Sequence, residues 1–462
     1  AAHLYGIEKE RGLEHHEILG SPGYFLARIE SGRTVAFAAT MEDWETLEQD
    51  PDAVFDAERQ RLEKLLALAP EAARQGFAGR LAIAADQFVI LPASRIEESL
   101  AARASGEQTR SIIAGYHWFT DWGRDTMISL EGLTLRTGRH REARAILTTF
   151  ARYVKDGLIP NQFPEGHREA IYNTVDATLW YFHALDRYYR TTGDRETLAA
   201  LFEVLKSVIE CHLVGTRFGI RADPKDQLIH AGAAGYQLTW MDAKVGDWVV
   251  TPRRGKPVEI QALWYNALRL MDLWGRELGQ VTDHYGGIAQ RVREEFNRRF
   301  WYDEGGYLAD VIDGEEGFDI RLRPNQIFAL SLRFPVLDEK YWKPVVDIVE
   351  HKLLTPFGLR TLAPDDKDYH ASYHGDRWTR DAAYHQGLVW PWLIGHFLDA
   401  RRRVYGRRDE HRYVAAFEET LMDSGIGTIS EIFEPEPPYT PRGCIAQAWS
   451  VAEVLRALLA QE

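Results

Sequence analysis

Residues 238–248 read LTWMDAKVGDW, with two carboxylates, Asp242 and Asp247, set among Trp240 and Trp248 and with Lys244 between them. Aromatic surroundings strip hydration from a carboxylate, disfavour its charge and raise its proton affinity. A carboxyl that stays protonated near neutral pH can donate to a leaving oxygen, so either acid is a candidate general acid. The plainer alternative is that Asp242 caps a turn and Lys244 neutralises it. A second acidic stretch, TISEIFEPEPPYTPRG (428–443), holds Glu431, Glu434 and Glu436. Glu434 and Glu436 alternate with prolines and read as solvated loop acids, whereas alternation between Ser430 and Ile432 can point Glu431 inward, making it the better second carboxylate. A third motif, WFTDWGRDT (118–126), places Asp121, Arg124 and Asp125 beside Trp122. With the Arg donating and the Asp accepting, Arg124 and Asp125 can clamp neighbouring sugar hydroxyls; an N-cap with a structural ion pair fits the same residues.

Other chemistries find less support. His370 and His374 are four residues apart, but Gly375 and nearby Tyr residues suggest a loop, and no Glu follows the first His as in the zinc-protease pattern. No metal and no cofactor is expected; His385, Gln386 and Trp390 read better as sugar contacts or rim structure. There is no G-x-S-x-G, no Walker or dinucleotide glycine pattern, and neither Cys211 nor Cys444 has a nucleophile's context. What remains is carboxylates, aromatics and amides: ring faces that stack on sugars, amides that bind hydroxyls, and two acids that break glycosidic bonds.

The elements that must position these groups are helical. A short N-terminal stretch stands apart: GYFLARIE and RTVAFAAT within 23–41 are β-prone runs split by SGR, a hairpin signal. After a linker region at 42–71 with one helical segment (55–69), twelve helices are predicted: 72–90, 123–137, 139–155, 173–192, 194–214, 258–277, 281–299, 323–333, 337–353, 382–400, 407–423 and 443–460. Charged amphipathic segments alternate with segments apolar on nearly every face. The latter begin alike, at Asp125, Asp176, Gln261, Gln326, Gln386 and Gln447, 51 to 85 residues apart. A helix apolar all round has no stripe for water and must be covered on all sides; six such helices ringed by six amphipathic ones make an all-α (α/α)6 barrel, a toroid of six hairpins. Inner-to-outer connections are tight, outer-to-inner ones long (91–122, 156–172, 215–257, 300–322, 354–381, 424–442). Every motif above falls in or beside a long loop, so the six loops are expected to meet at one mouth.

A net charge of −14 argues against nucleic acid or an anionic membrane as partner. Two cysteines make no disulfide framework and point to the cytoplasm. No apolar run approaches a membrane span, and the first twenty residues lack a signal-peptide layout.

Seven stretches, FTDWGRDTMISL, GLIPNQFPE, YNTVDATLW, LTWMDAKVGDWVVTPRRGKPVEIQALWYNAL, LRPNQIFALSL, YHQGLVWPWL and TISEIFEPEPPYTPRGCIAQAWSVAEVLR, occur in that order over 72–462. They resemble the amylo-α-1,6-glucosidase domain of glycogen debranching enzymes of bacterial and archaeal type. The resemblance implies an (α/α)6 barrel related to glucoamylases and inverting hydrolysis of α-1,6 branch linkages in glycogen or limit dextrin. It implies Asp242 as general acid, Glu431 as general base, Arg124 and Asp125 as the grip on the terminal glucose, and Trp122, Trp240, Lys244, His385 and Gln386 as subsite residues. Residues 1–41 correspond to only the last strands of the N-terminal β-domain such relatives carry, a β remnant, and the separate glucanotransferase barrel of the eukaryotic enzymes has no counterpart. A glucoamylase-like α-1,4-glucosidase or other oligosaccharide hydrolase on the same barrel is the alternative activity, and a catalytically silent glucan-binding module the alternative of another class.

Overall fold

Six segments without a polar face can be satisfied only by enclosing one another, and they do so as a closed ring. In the computed structural model, which describes residues 2–460 except 42, 46, 47, 49, 93–99, 101–103, 105–107, 165–168, 316, 408 and 409, the helices in chain order are α1 (Gly6–Glu10), α2 (Pro51–Leu68), α3 (Gly76–Phe88), α4 (Gly123–Leu133), α5 (His140–Arg152), α6 (Asp176–Thr192), α7 (Arg195–Val214), α8 (Val258–Leu278), α9 (Asp283–Arg299), α10 (Phe328–Ser331), α11 (Trp342–Lys352), α12 (Arg377–Tyr384), α13 (Leu393–Tyr405), α14 (Ala415–Thr420) and α15 (Ala448–Leu459). The inner ring runs α4, α6, α8, α10, α13, α15 and back to α4, each packed on the next. All eleven residues of α4 are buried. Helices α3, α5, α7, α9 and α11 lie against it from outside. The architecture is the (α/α)6 toroid expected from the alternation. None of the described helices is long and apolar enough to cross a membrane.

Glu131 and Glu453, buried acids on the inner helices, have cationic partners that spare them an uncompensated charge. Arg187 of α6 donates from Nη2 to Glu131 of α4 at 2.6 Å, and Arg456 of α15 from Nη2 to Glu453 at 2.7 Å.

Four expectations are corrected. The hairpin at 23–41 is absent: those residues carry no strand and are exposed, while the N-terminal strands are Ala2–Leu4 paired with His16–Ile18. A pair of β-prone runs with no third layer to cover them has little to hold it together. The expected helix 323–333 is a 3-10 turn (Pro324–Ile327) running into the four-residue α10. The expected helix 382–400 is broken: α12 stops at Tyr384, Val389–Trp390 form a strand, and α13 begins only at Leu393. Gly387 (φ +150) causes the break. A Cβ there would sit 2.3 Å from the His370 carbonyl oxygen, and Pro391 then keeps Trp390 extended. The expected helix 407–423 is short, Ala415–Thr420, after a 3-10 turn at Glu410–Tyr413. Parts of 42–71, 91–122 and 156–172 and of the start of 407–423 lie outside the described residues.

The broken fifth hairpin makes room for a five-stranded sheet. Leu354–Thr355, Gly358–Arg360, Val389–Trp390, Ile432–Phe433 and Pro441–Arg442 pair antiparallel in that order. It gathers strands from the long connections into α13 and α15 onto one end of the ring.

Where α4 crosses α15, Gly132 lies so close that a Cβ would sit 2.1 Å from the carbonyl oxygen of Ala452. Gly132→Ala is therefore expected to force the two helices apart and destabilise the fold by about 1–3 kcal/mol or more. Urea unfolding followed by circular dichroism measures it; an unchanged midpoint would mean that the ring is not closed by this contact.

Candidate active site

The site is built around the first turn of α4. Arg124 donates from Nε to both carboxylate oxygens of Asp176 at 2.9 Å and from Nη1 to Oδ2 of Asp242 at 2.8 Å. Asp176 opens α6, where the helix dipole favours a negative charge, and accepts a 2.6 Å bond from Thr174 Oγ1. The side chains of Arg124 and Asp176 are 3% and 1% exposed, while Asp242 keeps 32%. Asp242 is thus the one end of the triad open to a ligand.

Two anchors carry Asp242 to this position. The amide of Val175, just before α6, donates to the Leu238 carbonyl at 2.9 Å. Trp240 Nε1 donates to Asn325 Oδ1 at 2.8 Å, and Asn325 Nδ2 to Asp310 Oδ1 at 2.8 Å. Asp310 is gripped by buried Arg253, whose Nη2 also reaches Glu259 at 2.6 Å. A chain of fully buried polar partners therefore fixes the loop two residues before Asp242.

Glu431 arrives from the other side, on the five-stranded sheet, immediately before Ile432–Phe433. Its amide donates to the Cys444 carbonyl at 2.8 Å, and the Cys444 amide donates back to its Oε2 at 2.9 Å. Tyr384, the last residue of α12, donates a short hydrogen bond to Oε1. Gly443 lines the other flank, where a Cβ would meet Oε2 at 2.3 Å. A cavity of about 420 Å³ opens beside Gly443, bounded by Trp118, Tyr373, Arg380 and Arg442 and, from the N-terminal segment, by Ile7 and Arg11.

These carboxyls share one electrostatic environment. Burial pushes Glu431 up to about 7; Tyr384 and the Cys444 amide favour its charged form, and the charge of Asp242 opposes it. Burial also raises Asp242, against the pull of the Arg124 guanidinium, with the Asp176 charge adding to the rise. Asp125, which accepts a 3.3 Å bond from Gln447 Nε2, is pushed up to about 8 by burial, opposed by Arg124 and reinforced by Asp242 and Glu431. Two acids with raised proton affinity on separate loops can carry a proton in and take one out.

The other expected residues fall into two sets. Trp240, His385 and Trp390 form a closed aromatic layer: the His385 ring stacks on Trp390 at 5.1 Å, and Trp240 stands edge-on to both at 5.4 Å. All three are almost fully buried, as is Gln386, whose Oε1 accepts from Arg323 Nη2 at 2.5 Å. Trp122 is half-buried, with a T-shaped contact to Phe119. Lys244 bonds the Gly235 carbonyl at 2.8 Å and does not neutralise Asp242. Two placements depart from expectation. Arg124 is bonded to Asp176 and Asp242 and not to Asp125, so it is not a free sugar clamp. Trp248 is exposed and stacked on Trp378, so Trp240 alone among the two flanking indoles is packed into the interior. Asp247 is exposed, and His370, His374 and His385 are not gathered into a ligand set among the described residues.

Asp176, Tyr384 and Gln447 were not expected here. Asp176 and Gln447 carried a signal, their shared position at the start of inner helices; Tyr384 carried none beyond preceding His385.

Removing the shared cation would leave Asp176 buried without its partner. Arg124→Met is expected to cost roughly 3–5 kcal/mol of stability, measured by urea unfolding at pH 7; a loss under about 1 kcal/mol would show that the triad does not hold the loop.

Comparison with known proteins fits this geometry. A profile of the family described as amylo-alpha-1,6-glucosidase matches residues 83–456. The glycogen debranching enzyme of Saccharomyces cerevisiae is 28% identical over 389 residues, covering 64% of this chain but only 25% of that protein, so the chain spans about a quarter of its relative's length. Among solved structures, the GH63 mannosylglycerate hydrolase of Thermus thermophilus superposes with a TM-score of 0.55 at 14% identity in its complex with glucose, covering 79% of this chain and 99% of that one. Its complex with Tris and D-glycerate gives 0.55 at 12% identity, covering 82% and 100%. The latter likenesses concern the fold; the profile, spanning most of the chain and both carboxylate loops, shows that this chain belongs to the amylo-alpha-1,6-glucosidase family of glycoside hydrolases.

Proposed function

We propose that this chain hydrolyses α-1,6-glucosidic branch linkages of a glycogen-type glucan with inversion at the anomeric carbon. One observation carries the reading: Asp242 and Glu431 stand on separate loops at one end of the ring, the charge of Asp242 bears on Glu431, and both have raised proton affinity. Asp242 protonates the leaving oxygen, and Arg124 sets the direction of its carboxyl. Glu431, ionised, takes a proton from water attacking the opposite face. Inversion requires room for that water, a carboxyl separation of roughly 6.5–9.5 Å. Asp125, held by Gln447, and half-buried Trp122 and Lys244 meet the terminal glucose; Trp240, His385, Gln386 and Trp390 act from beneath, as the layer that keeps both loops in place. The two cysteines are unpaired, which suits the reducing cytoplasm.

Linkage and stereochemistry are tested together on a branched limit dextrin. Free glucose, appearing first as the β-anomer by proton NMR, is expected. Maltooligosaccharides in its place would mean whole-branch removal, and an initial α-anomer would mean retention. Asp242→Asn and Glu431→Gln should each lower kcat by at least about two orders of magnitude; activity within tenfold of the parent would remove these acids from their roles.

The pH profile tests the base. Glu431 must be ionised, so kcat/KM should rise with pH through about 7. The Tyr384 bond favours the charged carboxylate; Tyr384→Phe should therefore raise the proton affinity of Glu431 and move the acidic limb to higher pH. An unmoved limb would mean that another group sets it.

A further inference from the structure

We infer that Trp248 and Trp378 form a glucan-binding platform at the rim, separate from the residues that carry the chemistry; the choice of ligand rests on the reading of the chain as an α-glucan hydrolase. The two indoles stack at 5.5 Å between centroids with planes 11° apart, yet stay 39% and 54% exposed. Exposed side by side, the two indoles form a contiguous apolar patch rather than scattered single residues, and both are held in place by their elements. Trp248 stands on the hairpin Lys244–Val249, opposite Val245, with Gly246 in the left-handed region (φ +58) closing its two-residue turn. Trp378 lies in the first turn of α12, capped by Asp376 on the Thr379 amide at 2.9 Å. Helix α12 buries only Ala383, so it has no apolar stripe that would account for Trp378 as core.

Both supporting elements lead into the acid–base pair. The hairpin begins two residues after Asp242, and Trp248 lies across from a residue three positions from that carboxylate, at most roughly 10 Å along the strand. Helix α12 ends in Tyr384, which holds Glu431. A strand of glucan leaving the site passes the platform within a few sugar rings. Pyranose C–H groups carry partial positive charge and meet the negative face of an indole favourably; the contact needs no fixed hydrogen bonds and tolerates a polymer sliding over it. The exposed parts of the two rings supply such a surface at the rim.

The test separates binding from turnover. Retardation in native gels containing glycogen, and the Kd for maltoheptaose by tryptophan fluorescence, are measured for the full chain and for Trp378→Ala, Trp248→Ala and Trp378→Phe. The alanine variants should weaken both by at least about fivefold, and Trp378→Phe, which keeps an aromatic face, should recover most of the loss. Hydrolysis of isomaltose should stay within about twofold of the parent. Unchanged gel retardation and Kd would overturn the platform, as would an equal loss on isomaltose together with a lowered unfolding midpoint, which would make the pair a structural clasp. Normal gel retardation with no α-1,6 cleavage by the parent would sink the proposed reaction and leave the platform standing.

Discussion

One guanidinium holds this site together. Arg124 rises from the first turn of one inner helix, takes with Nε the carboxylate that opens the next, and extends Nη1 to Asp242 on the longest loop. Burying a cation costs several kcal/mol unless an anion accompanies it; Asp176, as buried as Arg124 itself, is that anion. The consequence is geometric: a shift of Asp242 strips Arg124 of one of its two carboxylate partners, while the pair with Asp176 stays closed. The acid most open to a ligand is thus also the one tied to the least accessible pair in the molecule.

Electrostatics and mechanics have the same origin here. Burial alone would neutralise Asp125, Asp242 and Glu431. Arg124 keeps the first two from drifting further, while Tyr384 and a backbone amide do the same for Glu431. Asp242 is thus opposed by a charge and Glu431 by neutral hydrogen-bond donors.

The ring was legible from sequence because enclosure leaves a mark: helices such as 258–278 carry apolar residues at every turn. The burial of Glu431 was legible for a related reason, its alternation between Ser430 and Ile432; between Asp242 and Asp247 the neighbouring residues left the choice open, and the resemblance pointed to Asp242. The fifth inner helix differs from expectation because YHQGLVWPWL is as apolar as an inner helix, and periodicity cannot distinguish a buried strand from a buried helix over so short a run. Gly387 and Pro391 were the visible breakers. What pattern could not supply was partnership. That Arg124 turns to Asp176, more than fifty residues on, and away from Asp125 beside it depends on how two helix starts meet in space. Lone Tyr384 has no periodic signature at all.

Glu431 stands just before a short strand and is tied to the main chain through reciprocal bonds with Cys444, with a neighbour strand on each side of the residues that follow it. Side chains along a strand alternate between faces, so a slip of a single residue would turn Glu431 away from the mouth and bring Ser430 or Ile432 in its place. The reactivity of this end of the molecule is therefore written in backbone register. Loops around the rim can lengthen, shorten or change composition and leave the base where it is, provided that the ladder between Val389, Phe433 and Pro441 keeps its count.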